Sequence, residues 1–192
     1  VTDANSGGGT ITFACSGTII FATELIITAT VIMDANGNTV IFDEIGNDNR
    51  FFVVNAGGSL TLNNFTVQNG NGNSGGAIFI FGSLTINNST FTGNSATLAG
   101  GAIANSGSLT VNNSTFTGNS VTDFGGAIFN DIGSTAIINN STFTGNSAIT
   151  TAGAIDSVGA LTINNSIFTN NLGASGSSAI FNTGIATSQD SH

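Results

Sequence analysis

The tract GGAIFIFGSLTINNSTFTGNSAT, from Gly75 to Thr97, is rewritten as GGAIANSGSLTVNNSTFTGNSVT beginning at Gly100. Aligned on the alanine of GGAI, the copies fall at Ala77, Ala102, Ala127, Ala154 and Ala179, in steps of 25, 25, 27 and 25 residues. The first Asn of each NN pair, at Asn63, Asn87, Asn112, Asn139 and Asn164, steps by 24, 25, 27 and 25. Two markers sharing one period make a true repeat, and periods of about 20–50 residues belong to solenoids and stacked arrays.

Within a copy the apolar residues recur every second position. Leu84 and Ile86 share one side of SLTIN and Thr85 takes the other; Phe91 points in while Thr90 and Thr92 point out. Each short apolar run ends in Gly, Asn or Ser, the residues that supply turns and positive φ. Three short strands and three turns in about 25 residues make one coil of a parallel β-helix, which buries its apolar face only by stacking on its neighbours. The chain is therefore expected to be all-β, one β-solenoid domain over residues 1–192 with about 7–8 coils. Residues 1–71 follow the pattern loosely and residues 72–192 regularly.

Stacking in register places like on like. Phe91, Phe116, Phe143 and Phe168 are expected to form an inner aromatic stack. Asn87, Asn112, Asn139 and Asn164, with the Asn that follows each, are expected to form amide ladders at a corner. Cys15 shares parity with Ile11 and Phe13 and is expected to be a buried thiol.

Composition narrows function further. Charged residues are 6% of the chain, Lys, Tyr, Trp and Pro are absent, and Arg50 is the one strong base against ten acids. A formal charge of −9 leaves nothing to line a nucleic-acid groove or to dock on an anionic membrane. No apolar run reaches the roughly 18 residues that a membrane helix needs. The chain starts at Val1 without Met, as expected of a mature, processed form.

GGAI followed by FxxN, here Phe91–Asn94, Phe116–Asn119, Phe143–Asn146 and Phe168–Asn171, resembles the repeats of chlamydial polymorphic outer-membrane proteins. The segment from GGGTITFACSGTI to GGSLTLNNFTVQNG is similar to the start of secreted bacterial proteins of the pectin-lyase-like superfamily. The resemblance implies a right-handed β-helix at a cell surface or in the medium.

Enzymes on such a fold work through basic residues and clustered carboxylates, with or without Ca²⁺. Here His192 is terminal, Arg50 stands alone, and Asp123, Asp131 and Asp156 fall in different turns. No catalytic residue, cofactor or metal ligand is assigned, and the chain is expected not to be an enzyme. The acid-rich stretch holding Asp34, Asp43, Glu44, Asp48 and Arg50 could supply oxygens to Ca²⁺, but its spacing matches no calcium loop. The outward Thr pairs Thr90/Thr92, Thr115/Thr117 and Thr142/Thr144 raise ice or glycan binding as further readings. The expected function is a secreted or cell-surface structural subunit that partners itself. The first coil, through Ile11 and Phe13, would receive the last, through Ala179, Ile180 and Phe181, giving a head-to-tail filament. The alternative is an adhesin-like fragment of a larger surface protein that contacts glycans or cells; a polysaccharide lyase ranks lower.

Overall fold

The computed structural model describes residues 7–44, 49–174 and 179–189. Asp48 and His192 lie outside the described residues. Every strand pairs parallel with the strand one period away, so each sheet runs along the axis of a solenoid. The first sheet has eight strands, from Gly9–Thr12 to Ala186–Gln189. The second has seven, from Gly17–Ile20 to Ile167–Thr169, and the third seven, from Leu25–Ile27 to Ile180–Asn182. Seven coils contribute one strand to each of these sheets, and an eighth strand closes the first.

The register is one period throughout. Leu84 pairs with Leu60 and Leu109, and Ile86 with Leu62 and Val111. All six are buried. On the third sheet Ile78, Ile103, Ile128 and Ile155 stack in the same way. The result is one continuous apolar core from Phe21 to Ile163, on which Ile11, Phe13, Phe168 and Ile180 pack half-buried at the two ends.

The repeated GGA tract tightens the turn into the third sheet. Gly100 adopts φ 60°, which disfavours any residue with a Cβ. A Cβ on the next glycine, Gly101, would collide with the carbonyl oxygen of Gly126 in the adjoining coil. With the backbones this close, the alanines hydrogen-bond in sequence: Ala77 N to Ala102 O at 2.8 Å, then Ala102 to Ala127 and Ala127 to Ala154 at 2.9 Å each.

Three expectations are corrected. Coils three to six carry a fourth short strand, in a sheet running from Asn71–Ser74 through Ser95–Ala99 and Ser120–Val121 to Ser147–Ala148. The positive φ of Gly93 (62°), Gly118 (61°) and Gly145 (63°) turns the chain sharply enough for the following residues to pair again. Cys15 is exposed and free, because the strand ends at Thr12 and the alternation that would bury it ends in a bend. The second Asn of each pair takes no place in a ladder. Asn88, Asn113, Asn140 and Asn165 are exposed at φ 48–50° and turn the corner between the first and second sheets, a conformation Asn tolerates better than other non-glycine residues.

Candidate functional site

Repetition puts three polar positions of the repeat into contacts between coils. Phe91, Phe116, Phe143 and Phe168 stack with centroids 5.0, 4.8 and 4.9 Å apart and rings within 8° of parallel. The first three are fully buried. Asn87, Asn112, Asn139 and Asn164 form a half-buried amide ladder at the corner. Each donates from Nδ2 to Oδ1 of the preceding coil at 2.8–2.9 Å, beginning with Asn87 to Asn63.

Two further ladders were not read from the sequence. Asn94, Asn119 and Asn146 lie wholly inside, and their Nδ2 groups donate the opposite way, to Oδ1 of the following coil, at 2.9 Å. Each also caps a backbone carbonyl of the preceding coil: Asn94 that of Val67, Asn119 that of Phe91 and Asn146 that of Phe116. The backbone N–H of each Asn donates to the Oδ1 of the next. The Asn of FxxN therefore ties the Phe strand of one coil to the turn of its neighbour. Ser89, Ser114, Ser141 and Ser166 form the other ladder. Each hydroxyl donates to the carbonyl two residues earlier and accepts a backbone N–H from the preceding coil at 3.1 Å. The signal for both was present in the sequence as an Asn and a Ser recurring at one fixed offset.

The outward faces are sparsely functionalised. The Thr90/Thr92, Thr115/Thr117 and Thr142/Thr144 pairs stand in register, half-buried, on the outside of the second sheet. Ile167, 48% exposed, replaces Thr in the next coil. Over the fourth sheet lies a shallow groove of about 350 Å³ whose polar lining includes Asn71, Ser95, Thr97, Ser120 and Thr122.

The acid-rich stretch does not converge. Asp34 ends a strand of the first sheet and accepts from Asn36 N (2.8 Å) and Asn64 Nδ2 (3.2 Å). Asp43, nearly buried on the second sheet, is held by Gln68 (2.9 Å) and Asn69 (2.8 Å). Glu44 is also buried. Among the described residues no group of three His, Cys, Asp or Glu side chains is placed to hold a metal ion. Arg50 pairs outside the stretch, with Glu24 at 3.1 Å, and its guanidinium lies 5.5 Å from the centroid of Phe79. Asp131 accepts from Ser106 Oγ and from the N–H of Ile132, away from Asp123 and Asp156. Asp156 is 2% exposed on the third sheet; burial pushes its carboxyl above the usual range, and a hydrogen bond with Thr151 pulls it partly back.

At the ends, Ile11 and Phe13 sit half-buried at the first coil, Phe13 edge-on to Phe65 at 5.5 Å. Ala179 receives the N–H groups of Ala154 and Ile155, Ile180 packs on the core, and Phe181 points outward, 48% exposed. Among the described residues no helix is long and apolar enough to cross a membrane.

Two stretches, residues 88–106 and 113–131, match the repeat of the Chlamydia polymorphic membrane proteins. Each spans the end of one coil's Asn corner, its Phe strand and the GGAI turn that follows. No curated protein matches the chain.

Proposed function

We propose that this chain is a non-enzymatic shaft of a cell-surface protein, an adhesin-like passenger module that holds contact surfaces away from the cell. The observation that carries the reading is where the polar groups go. The first Asn of each NN pair, the Ser that follows the pair and the Asn of FxxN are spent in ladders between coils, and these same repeats match those of a membrane-protein family. A rod hydrogen-bonded along its whole axis keeps its length and exposes long flat faces. The groove over the fourth sheet, with Asn71, Ser95, Thr97, Ser120 and Thr122, supplies hydroxyl and amide groups suited to a glycan. A pectin-lyase-like reading would imply catalysis, but its support is poor: the sole guanidinium is paired with Glu24, and among the described residues no three acids come together.

Beads coated with the purified chain should adhere to host or neighbouring cells, and soluble chain should compete. Adhesion no greater than with albumin-coated beads would sink the adhesin reading. Turnover of polyuronides or glycans that is lost on replacing Arg50 or Asp156 would sink the non-enzymatic one.

Head-to-tail assembly is the second reading, favoured by the strands Gly9–Thr12 and Ala186–Gln189 standing at the two edges of the first sheet. Such edges recruit further strands, and joining unlike ends does not close. Negative-stain microscopy separates the two: isolated rods of about 35–40 Å support the shaft alone, and threads support assembly. Pro at Ile180 should shorten any threads, since Pro cannot donate to a ladder.

A further inference from the structure

The geometry points to a binding site for a primary alkylammonium group, a lysine side chain of a partner protein, formed by Phe124, Phe129 and Phe181 around the carboxylate of Asp156. The site stands independently of the adhesin reading. On the outer face of the third sheet, Phe129 pairs in register with Asp156, and Asp156 with Phe181. The carboxylate thus sits between two phenyl rings one coil above and one coil below. Phe124, from the preceding turn, closes the side, with its ring centroid 5.9 Å from that of Phe129. Together with Thr151 and Val158 these residues line a half-open, largely apolar pocket of about 220 Å³.

A carboxylate among phenyl rings is an expensive choice unless a cation joins it. This one is 98% shielded from solvent, and its side-chain partner is the Thr151 hydroxyl. The chain has no second Lys or Arg to offer: Arg50 is the only one, and it is already engaged. Its engagement shows the same chemistry satisfied. On the same face, three coils toward the N-terminus from Asp156, Arg50 lies over Phe79 while its Nε meets Glu24 at 3.1 Å. A phenyl ring, a carboxylate and a cation make a complete set there. At Asp156 the rings and the carboxylate are present and the cation must come from outside.

The lining selects among cations. One carboxylate falls well short of the six to eight oxygens that Ca²⁺ takes. A sugar would find one hydroxyl and one carboxyl among apolar walls. A quaternary ammonium could face the rings but has no N–H for the carboxylate. A primary alkylammonium lays its methylenes along the phenyl rings, as long side chains do on apolar surfaces, and gives a charge-assisted hydrogen bond to Asp156. The net charge of −9 draws such partners in.

Calorimetric titration with Nα-acetyl-lysine methylamide tests this directly, with the norleucine analogue and choline as comparison probes. Saturable binding of the lysine probe is expected, weakened about tenfold or more by Asp156→Asn, as loss of a charged hydrogen bond in a shielded site implies. Phe181→Ala, which trims a half-exposed ring, should weaken binding while the rest of the coil stays folded, and it serves if the Asp156 variant does not fold. Absence of saturable lysine-probe binding overturns the site. So does equal affinity for norleucine, choline binding as tight as lysine, or full affinity retained in either variant.

Discussion

Replacing Asn119 by Ala should remove more stability than its small size suggests. The side chain is fully buried and makes four hydrogen bonds. Oδ1 accepts from Asn94 N (3.0 Å) and Asn94 Nδ2 (2.9 Å), while Nδ2 donates to Phe91 O (3.0 Å) and Asn146 Oδ1 (2.9 Å). After truncation Asn94 Nδ2 keeps Val67 O, and Asn146 Oδ1 keeps the backbone N–H of residue 119. The backbone N–H of Asn94 loses its side-chain acceptor in a buried place, a loss of about 1–3 kcal/mol. The other three bonds, at a net of about 0.5–1.5 kcal/mol each, bring the total to about 2.5–7.5 kcal/mol. Urea unfolding followed by far-ultraviolet circular dichroism reads this as a lower midpoint at unchanged slope. Asn113→Gly, at an exposed corner with φ 50°, is the control and should be close to neutral. If Asn119→Ala costs under about 1 kcal/mol, no more than the control, the inner amide ladder does not hold the coils together.

Other outcomes follow from the same contacts. Phe116→Ala, between rings at 5.0 and 4.8 Å, should cost about 3–5 kcal/mol in the same urea assay, because flanking coils fixed by backbone pairing cannot close the cavity. Asn113→Ala should cost about 1–2 kcal/mol where Asn113→Gly does not, since the penalty is the left-handed backbone and not a lost contact. For Asp156 burial raises the folded-state pKa above 3.8, so the folded protein holds this proton more tightly than the unfolded chain. Its contribution to stability is present below 3.8 and is lost as pH rises through the raised value. Asp156→Asn should flatten that fall and be the more stable form at neutral pH; thermal midpoints of both proteins across the acid range check it.

Period and parity made the coil legible, and what escaped them has identifiable physical causes. Leu84, Ile86 and Phe91 sit in uninterrupted strands, where every second side chain faces the core and an apolar residue has only one low-energy side to choose. Asn94 follows Gly93, whose positive φ breaks the alternation, so counting from Phe91 no longer says which way residue 94 points. Hydrophobicity points it outward. The structure points it inward because the turn leaves a backbone N–H and carbonyls unsatisfied, and an amide can satisfy both kinds at once. At the NN pair the same residue type divides its work: the first Asn ends a strand and joins the ladder, whereas the second is placed by φ alone. Side-chain chemistry could not separate them.

Asp156 reverses that logic, and the reversal is what makes it informative about function. Its position in the repeat is occupied by Phe79, Ala104, Phe129 and Phe181 in other coils, so packing asks for an apolar side chain there. The ladder residues break the hydrophobic pattern and are repaid by partners one coil away. Asp156 breaks it with the Thr151 hydroxyl for a partner and carries a desolvation cost that raises its pKa. In a solenoid each coil supplies the context for the next, so a side chain that its neighbouring coils do not complete is one whose partner must arrive from outside the repeat. By that criterion the outer face of the third sheet, around Asp156, is where this rod is open to recognition.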